Sequence, residues 1–361
     1  ALQPQTAQKV ELPIQADSTC HTAVVFQYMD GEREVAFEQF VLHEGQLPFA
    51  APVCKAPKLA VVSDNMRHED DQITAENTRM LFNTDTGRIT SWLYKGRELV
   101  NQTPAYYEKG INPELFRAPL DNDMYLAANW RKYGLEDVRA YLRKSRKKTT
   151  ERSVVFTNQY LLSTPRQKYL GDLTMVYEVF GNGQVRVDVS FDYLTKINKI
   201  PRYGVVLELP QAFEQVRYFG LGEQENLSDF KEQAAFGVYD TTVSAMHYPY
   251  INPQESGMHC ETRWAELTAP DGTGVRIRAV DKPFVFSAHH YTPQDAAKAA
   301  HLEELERRRT TAVFIDGYML GAGSNACGSI PADAHRIDSG KKKFAFSFVI
   351  EPFDTSEQAD A

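Results

Sequence analysis

Short segments that alternate apolar and polar residues run through most of this 361-residue chain. From about Leu59 onward they are separated by turn residues, and strong helix signals are confined to two stretches. Alternation at period two is typical of half-buried strands. Because strands and helices do not exchange regularly, the pattern predicts antiparallel sheets and argues against a parallel α/β barrel.

Glycine-containing turns predict how some neighbouring strands pair. Thr84-Asp85-Thr86-Gly87 lies between Met80–Asn83 and Ile89–Tyr94, which is a hairpin signal. The same arrangement recurs around Gly181-Asn182-Gly183. Further strands are expected at Thr174–Phe180, Val185–Phe191, Tyr203–Leu209, Val216–Phe219, Ala265–Thr268, Val275–Val280, Phe284–Ala288, Ala312–Gly317 and Phe344–Glu351.

Two helices are predicted in this region. Thr292-Pro293-Gln294-Asp295 resembles a capping box with proline at the first helical position, and Ala296–Arg309 is rich in helix formers. A second, shorter helix is expected over Asn129–Tyr133. Apolar and polar residues alternate around the basic run Arg143–Lys148, which predicts the solvent-facing side of a strand.

The first segment has a different organisation. Strands are expected at Lys9–Ile14, Thr22–Tyr28 and Glu34–Leu42, which amounts to half of a β-sandwich. Closely spaced prolines between residues 48 and 57 predict a linker. We therefore expect the end of one domain, a linker, and then a large all-β domain.

Composition and charge exclude several classes of protein. The formal net charge of −8 argues against nucleic acid or an anionic membrane as the main partner. No apolar run approaches the roughly 18 residues that cross a membrane, and the start shows no signal-peptide pattern. Four cysteines lie far apart without metal-type spacing, so localisation stays unknown.

The segment Phe116-Arg117-Ala118-Pro119-Leu120-Asp121-Asn122-Asp123 combines two carboxylates, an amide and an arginine. Burying such groups is costly unless they pair or bind something. Two interpretations remain open from the chemistry alone: a polar cleft wall, or a solvated turn at a strand end. Residues two apart on an extended strand share one face. Asp121 and Asp123 therefore indicate a wall for a polar ligand, not an opposed acid–nucleophile pair.

Other motifs give weaker signals. Gly220–Asn226 lacks the third glycine and the lysine of a phosphate loop, so we expect a tight loop that presents Glu225 and Asn226 into a cleft. His289-His290 and His301 lack the spacing of a metal face. Tyr248-Pro249-Tyr250 and Arg263-Trp264 are compatible with stacking on sugar rings or with ordinary sheet packing.

These motifs occur together in one family. Phe116–Asp123, Phe219–Asn226, Pro253–Gly257 with Arg263-Trp264, Phe286–Thr292, and Gly321–Gly323 with Cys327-Gly328 appear in this order. Together they resemble the C-terminal domain of family-two glycoside hydrolase beta-galactosidases. The resemblance implies an all-β fold, a large antiparallel super-β-sandwich similar to galactose mutarotase. It also implies an immunoglobulin-like remnant plus linker at 1–57, the super-sandwich at 58–355 and a tail at 356–361.

The resemblance further implies that this chain is not where catalysis resides. The catalytic glutamates of the family belong to a (β/α)₈ barrel, so the chain is expected to be inactive alone. It would form one wall of the carbohydrate cleft, pack on the barrel, bind galactose or a β-galactoside, and possess no metal site or cofactor. Any Mg or Na would belong to the other domains, and a homo-oligomer is compatible with the family. The implied cleft residues are Arg117, Asp121, Asn122, Asp123, Glu225, Asn226, Glu255 and Arg263.

The sequence also departs from the family pattern. Only Met124–Ala128 lie between the Asp-Asn-Asp motif and the next helix, which implies that the mobile loop of the family is shortened or absent. Cys327 stands where some members place a sugar-stacking tryptophan. Three alternatives to a domain of one long enzyme remain: the small subunit of a two-chain enzyme, a free-standing galactoside-binding module, and sugar mutarotation by fold analogy.

Overall fold

The structure is a computed structural model that describes residues 6–15, 17, 20–45, 47, 58–62, 70–323, 328, 330–340 and 343–358. The chain divides into two compact units, Ala1–Gln46 and Leu47–Ala361. The predicted proline-rich linker, residues 48–57, lies outside the described residues. The immunoglobulin-like identity of the first segment and the predicted domain limits stay predictions.

The smaller unit contains one antiparallel hairpin, formed by β1 (Thr22–Asp30) and β2 (Arg33–His43). These strands confirm two of the three predicted there. The third prediction is wrong, since Lys9–Ile14 has no strand structure. An alternating segment forms a strand only where its backbone finds a pairing partner. Within the described residues Lys9–Ile14 pairs with no strand, whereas β1 and β2 pair with each other.

Strands make up most of the regular secondary structure of the larger unit. Their bounds are β3 (Ala60–Val62), β4 (Asp71–Ala75), β5 (Thr78–Asn83), β6 (Arg88–Tyr94), β7 (Arg97–Glu98), β8 (Ile111–Glu114), β9 (Arg139–Thr149), β10 (Ser153–Thr164), β11 (Gln167–Phe180), β12 (Val185–Leu194), β13 (Arg202–Pro210), β14 (Gln215–Gly222), β15 (Ala235–Thr242), β16 (His259–Thr262), β17 (Trp264–Thr268), β18 (Thr273–Ala279), β19 (Phe284–His289), β20 (Thr310–Met319) and β21 (Phe344–Asp354).

These strands form three sheets in which every described pairing is antiparallel. The largest has the order β15-β14-β17-β18-β21-β12-β11-β10-β9, the second β16-β19-β20-β13-β8, and the third β3-β4-β5-β6-β7. The predicted all-β, antiparallel class is confirmed, as are both predicted hairpins.

One continuous apolar core joins the three sheets. β11 and β12 bury alternate residues, as their period-two pattern predicts. Almost all of β13 is buried, which is typical of a strand covered on both faces. Phe82 of the third sheet stacks on Phe156 of the largest sheet, with ring centroids 3.7 Å apart. Residues of the second sheet belong to this core, and most of the polar residues of the sheet are buried.

Short helices connect the sheets. They are α1 (Ala127–Tyr133), α2 (Val243–Met246), α3 (Pro293–Lys298) and α4 (Thr355–Gln358), with 3₁₀ turns at Asp121–Tyr125, Leu135–Asp137, Leu302–Glu304 and Asp333–His335. Among the described residues, none of these helices has the length and apolar character that crossing a membrane requires.

The predicted helix over Ala296–Arg309 is much shorter than expected. Its capping box is present, because Thr292 and Asp295 bond reciprocally. However, Arg308 returns to Asp295, with Nη2 donating to Oδ1 at 2.7 Å. A continuous helix would separate these residues by roughly 20 Å at 1.5 Å per residue. The tertiary ion pair therefore requires the chain to leave the helix after Lys298.

Candidate functional site

Arg117 and Asp123 form a buried ion pair at the centre of the candidate site. Arg117 Nε donates to Asp123 Oδ2 at 3.0 Å, and Nη2 donates to Oδ1 at 2.8 Å. The same guanidinium donates to the carbonyls of Leu320 and Gly321, two residues about 200 positions later. With both side chains inaccessible to solvent, the pair ties the segment that contains it to the Gly321–Gly323 segment.

Asp121 and Asp123 do not share a face, contrary to the sequence prediction. The segment is a 3₁₀ turn over Asp121–Tyr125, not an extended strand. Asp123 points inward and accepts from Leu120 N at 2.9 Å, whereas Asp121 is exposed. Asn122 is half-buried, and its Oδ1 accepts from Gly328 N at 3.0 Å. The prediction that both carboxylates share one face holds only for an extended strand. Asp123 instead pairs with Arg117 from a 3₁₀ turn.

Hydrogen bonds of the Asn226 side chain hold the Glu225-Asn226 loop in place. Asn226 is fully buried, and its Nδ2 donates to the carbonyls of Leu221 and Gln224 while its Oδ1 accepts from Cys260 N at 2.8 Å. Asn226 is therefore not presented into an open cleft, contrary to the sequence expectation. Glu225 lies nearer the surface.

Glu255 connects the Pro253–Gly257 segment to the same place. Its Oε2 accepts from Ala118 N at 2.9 Å, and Gln254 Oε1 accepts from Asp121 N at 3.2 Å. Four motif segments separated by up to 200 residues thus meet through hydrogen bonds. We call this assembly, formed by residues 116–123, 221–226, 253–257 and 320–323, the motif junction.

Two charged residues of the junction's support were missed by the sequence reasoning. Arg202, at the start of β13, donates to Glu255 and to Phe116 O, and its Nε lies 3.2 Å from Asp316 Oδ2 in β20. All three side chains are buried. A signal was present, because Asp316 interrupts the apolar run Val313–Leu320.

Burial decides the protonation behaviour of this charge cluster. It raises the pKa of Asp316 to about 8, against the opposing attraction of Arg202. Burial also raises the pKa of Glu114. Taking a carboxylate out of water disfavours its charged form. Arg202 itself stays charged, since the neighbouring carboxylates raise its pKa despite its burial.

Arg263 occupies an aromatic environment beside the junction. It is buried, its guanidinium lies 4.3 Å from the ring centroid of Phe236, and its Nη1 donates to Glu261 O at 3.0 Å. Such cation–π contacts stabilise a desolvated arginine. In this structure Arg263 therefore supports the sheet. Its predicted role in a carbohydrate cleft stays a prediction, as it does for the other predicted cleft residues apart from Asn226.

The surface next to the junction combines aromatic rings with acidic groups. The rings of Tyr248 and Tyr250 are 4.6 Å apart, and Tyr250 Oη donates to Glu225. Glu225 Oε2 also accepts from Gly257 N at 2.6 Å. Burial, the Glu225 hydrogen bond and nearby charges that include Asp121 raise the pKa of Tyr250. We call Asp121, Glu225, Tyr248 and Tyr250 the outer face.

Two further expectations concern Cys327 and metal binding. Cys327, predicted to replace a sugar-stacking tryptophan, lies outside the described residues. Within the described part of the chain, no group of three or more His, Cys, Asp or Glu side chains could hold a metal ion.

Comparisons with known proteins relate this chain to beta-galactosidases. The family model described as beta galactosidase small chain matches residues 74–350. Curated relatives include beta-galactosidases of Actinobacillus pleuropneumoniae (27% identity, 90% of this chain, 31% of the relative) and Staphylococcus xylosus (25% identity, 95% of this chain, 34% of the relative). The chain thus spans about a third of their length.

Solved structures give a weaker likeness. A galactose mutarotase-like protein from Lactobacillus casei has 9% identity and a TM-score of 0.40, with 82% of this chain and 100% of that chain covered. An aldose epimerase homologue from C. elegans has 10% identity and a TM-score of 0.39, with 83% and 100% covered. The all-β class follows from the sheets themselves. The match over residues 74–350 confirms the predicted resemblance, and the chain belongs to the beta galactosidase small chain family.

Proposed function

We propose that this chain is a non-catalytic part of a beta-galactosidase that forms one wall of the galactoside cleft. It would pack on a catalytic barrel carried by the rest of a longer protein or by a second chain. The observation that supports this proposal is the motif junction, in which four distant segments are hydrogen-bonded into one support for the partly exposed outer face.

The chemistry of the outer face suits a sugar. Tyrosine rings offer apolar faces, and the carboxylates of Asp121 and Glu225 accept hydrogen bonds from hydroxyl groups. Glu225 is fixed by Tyr250 and by Gly257 N, so its position does not depend on a ligand. A recognition group whose orientation is fixed in advance loses less conformational entropy on binding.

The small share of the relatives' length supports a partner for this chain. About two thirds of each relative has no counterpart here, and the described residues contain antiparallel sheets with no parallel barrel. The relatives carry the matching region within one longer chain, and the matching family is described as a small chain, so a domain of one chain and the small subunit of a two-chain enzyme are both compatible with the comparisons.

Mixing experiments test the proposal. The purified chain alone should not hydrolyse o-nitrophenyl β-galactoside, whereas activity should appear on addition of a beta-galactosidase chain that contains the barrel but lacks this region. In the mixture, Asp121→Ala should raise KM, and the exposed Lys148→Ala should behave as the unmodified chain does. Turnover by the isolated chain at rates typical of intact beta-galactosidases would contradict the proposal. So would the absence of both association and restored activity.

A free-standing galactoside-binding module is the second candidate, favoured by the exposed Tyr248 beside Tyr250. Titration calorimetry of the isolated chain with galactose and lactose distinguishes it. Heat that saturates at millimolar sugar and is lost in Tyr248→Ala would favour this candidate. No heat at these concentrations would count against it.

A further inference from the structure

A cavity of about 730 Å³ lies between the second sheet, α1 and α3. Its lining includes Tyr107, Glu114 and Gln294, and it shares only Phe116 with the motif junction. This volume falls within the roughly 300–1,000 Å³ of typical small-molecule sites. The proposed cleft function makes no use of this cavity.

The inner wall of the cavity is a connected set of buried polar groups. Tyr107 Oη donates to Glu114, and Gln294 Nε2 donates to Glu114 Oε2 at 3.2 Å. Glu114 Oε1 accepts from Phe116 N at 2.8 Å. Burial raises the pKa values of both Glu114 and Tyr107. This wall therefore places hydrogen-bond donors and acceptors at the cavity surface.

Aromatic rings lie beside these polar groups. Tyr106 and Tyr107 make an edge-to-face contact with centroids 4.9 Å apart, and Phe116 also lines the cavity. Convergent polar groups next to ring faces bind small ligands that have both hydroxyl groups and apolar C–H faces. A sugar ring of one or two units has this chemistry and fits the volume.

The rim of the cavity has a surplus of positive charge. Three of its cations are paired: Arg88 with Glu108, Arg139 with Asp137 at 3.0 Å, and Arg166 with Glu136 at 3.5 Å. The other two cations that line it are Arg131, in α1, and Lys298, the last residue of α3. Within the described part of the chain, no carboxylate lies within ion-pair distance of either.

We propose that this cavity binds a sugar that carries one negative charge, as a sugar acid or a phosphorylated sugar. The polar wall and the tyrosine rings would contact the hydroxylated ring, and Arg131 and Lys298 would contact the anionic group. Both ligand sources share the same chemistry, a polyhydroxylated ring with one anionic substituent.

Calorimetry with the full chain tests the inference, using galacturonate, galactose 6-phosphate, neutral galactose and inorganic phosphate as separate probes. At least one charged sugar should bind with a Kd in the millimolar range or tighter. It should bind at least about tenfold more tightly than galactose, because a charge-assisted contact contributes more than a neutral one. The relative affinities of the two charged sugars would identify the source.

Matched charge variants locate the binding. Arg131→Ala combined with Lys298→Ala should weaken the charged sugar about tenfold or more. The control, Arg146→Ala combined with Lys148→Ala, removes two exposed cations of β9 that do not line the cavity. Gln294→Ala should weaken binding while the far-UV circular dichroism stays unchanged.

Three results would overturn the inference. The first is no heat with either charged sugar at about 10 mM. The second is an affinity for galactose equal to that for the charged sugars, and the third is an equal affinity for inorganic phosphate. Equal weakening by the control pair would show a general charge effect and would overturn it as well. Because the isolated chain is titrated without a barrel-containing partner, failure here leaves the mixing experiments unaffected.

Discussion

The two buried arginines of the candidate site differ in how their charges are balanced. Arg117 faces one carboxylate, Asp123, and makes a two-bond pair with it. Arg202 is close to two carboxylates, Glu255 and Asp316, and is also influenced by Glu114. Both arginines hold distant segments together, but only the Arg117 pair is neutral with every group in its ordinary ionised form.

The difference shows how a buried cluster with too many carboxylates can persist. A surplus negative charge in a low-dielectric interior is costly, and protonation removes it. The raised pKa of Asp316, about 8, reflects this response. When Asp316 is protonated, Arg202 and Glu255 form a neutral pair comparable to Arg117 and Asp123. The first cluster is thus balanced by its composition, and the second by a bound proton.

Replacing either buried arginine should have the largest effect on stability. Arg202→Met would leave Glu255 without its cation and would also remove the cation beside Asp316, so it should lower the free energy of unfolding by about 3–5 kcal/mol, the usual cost of breaking a buried pair. Arg117→Met strands only Asp123 and should cost less. Urea unfolding followed by circular dichroism measures both. Arg202→Lys and Arg117→Lys serve as controls that keep the charge. A larger loss for Arg117→Met would contradict this account of the two clusters.

The next largest effect is the pH dependence of stability, which should distinguish the Arg202 cluster from the Arg117 pair. The pKa of Asp316 is about 8 in the native chain and near 3.8 when the carboxyl is unperturbed. Between these values the native state holds a proton that the unfolded state has released. Stability should therefore fall as pH rises, by up to about 1.4 kcal/mol per pH unit, until the loss is complete above about pH 8.

Asp316→Asn isolates this effect from that of the other titrating groups. Urea unfolding at pH 5 to 9 should give a shallower loss of stability for Asp316→Asn than for the unmodified chain. Glu114 and Glu208, whose pKa values burial also raises, would retain part of the dependence. Identical pH dependence in the two proteins would show that Asp316 does not hold the proton.

The sequence predicted the strands well, because alternation and turn residues are local signals. β11 and β12 bury alternate residues as expected. The site was predicted only in part. The motifs named the correct segments, but the partners of Arg117 include carbonyls about 200 residues away. The early end of the predicted helix at Lys298 and the 3₁₀ turn at Asp121 were missed for the same reason, since ion pairs set by the tertiary fold override local propensity.

Substitution of Gly204, which lies beside Asp316, should have an intermediate effect on stability. A Cβ added at Gly204 would lie 1.7 Å from Asp316 Oδ1, so this side chain needs the space that the glycine leaves. Gly204→Ala should lower the free energy of unfolding by about 1–3 kcal/mol through overpacking. In Gly204→Ala combined with Asp316→Ala, the loss should be clearly smaller than the sum of the two single losses. Strict additivity, measured by urea unfolding, would contradict this steric coupling.

The smallest effect is expected where an arginine and an aspartate pair in water. Arg217 and Asp240 are cross-strand neighbours of β14 and β15, with Nε and Oδ1 3.6 Å apart and side chains 57% and 76% exposed. A double-mutant cycle with Arg217→Ala and Asp240→Ala should give a coupling of about 0.2–1 kcal/mol. Salt at 1 M should reduce it, because the screening length falls to about 3 Å.

This surface pair separates the effect of burial from that of residue type. Arg117 with Asp123 and Arg217 with Asp240 have the same chemical groups, so a large difference in coupling must come from solvent exclusion, from the two-bond geometry of the buried pair and from the added carbonyl contacts. A salt-resistant coupling above about 2 kcal/mol for the surface pair, beyond the usual range for exposed pairs, would contradict that interpretation. The stability of the motif junction would then reflect arginine–aspartate pairing wherever it occurs, and not the burial of its charges.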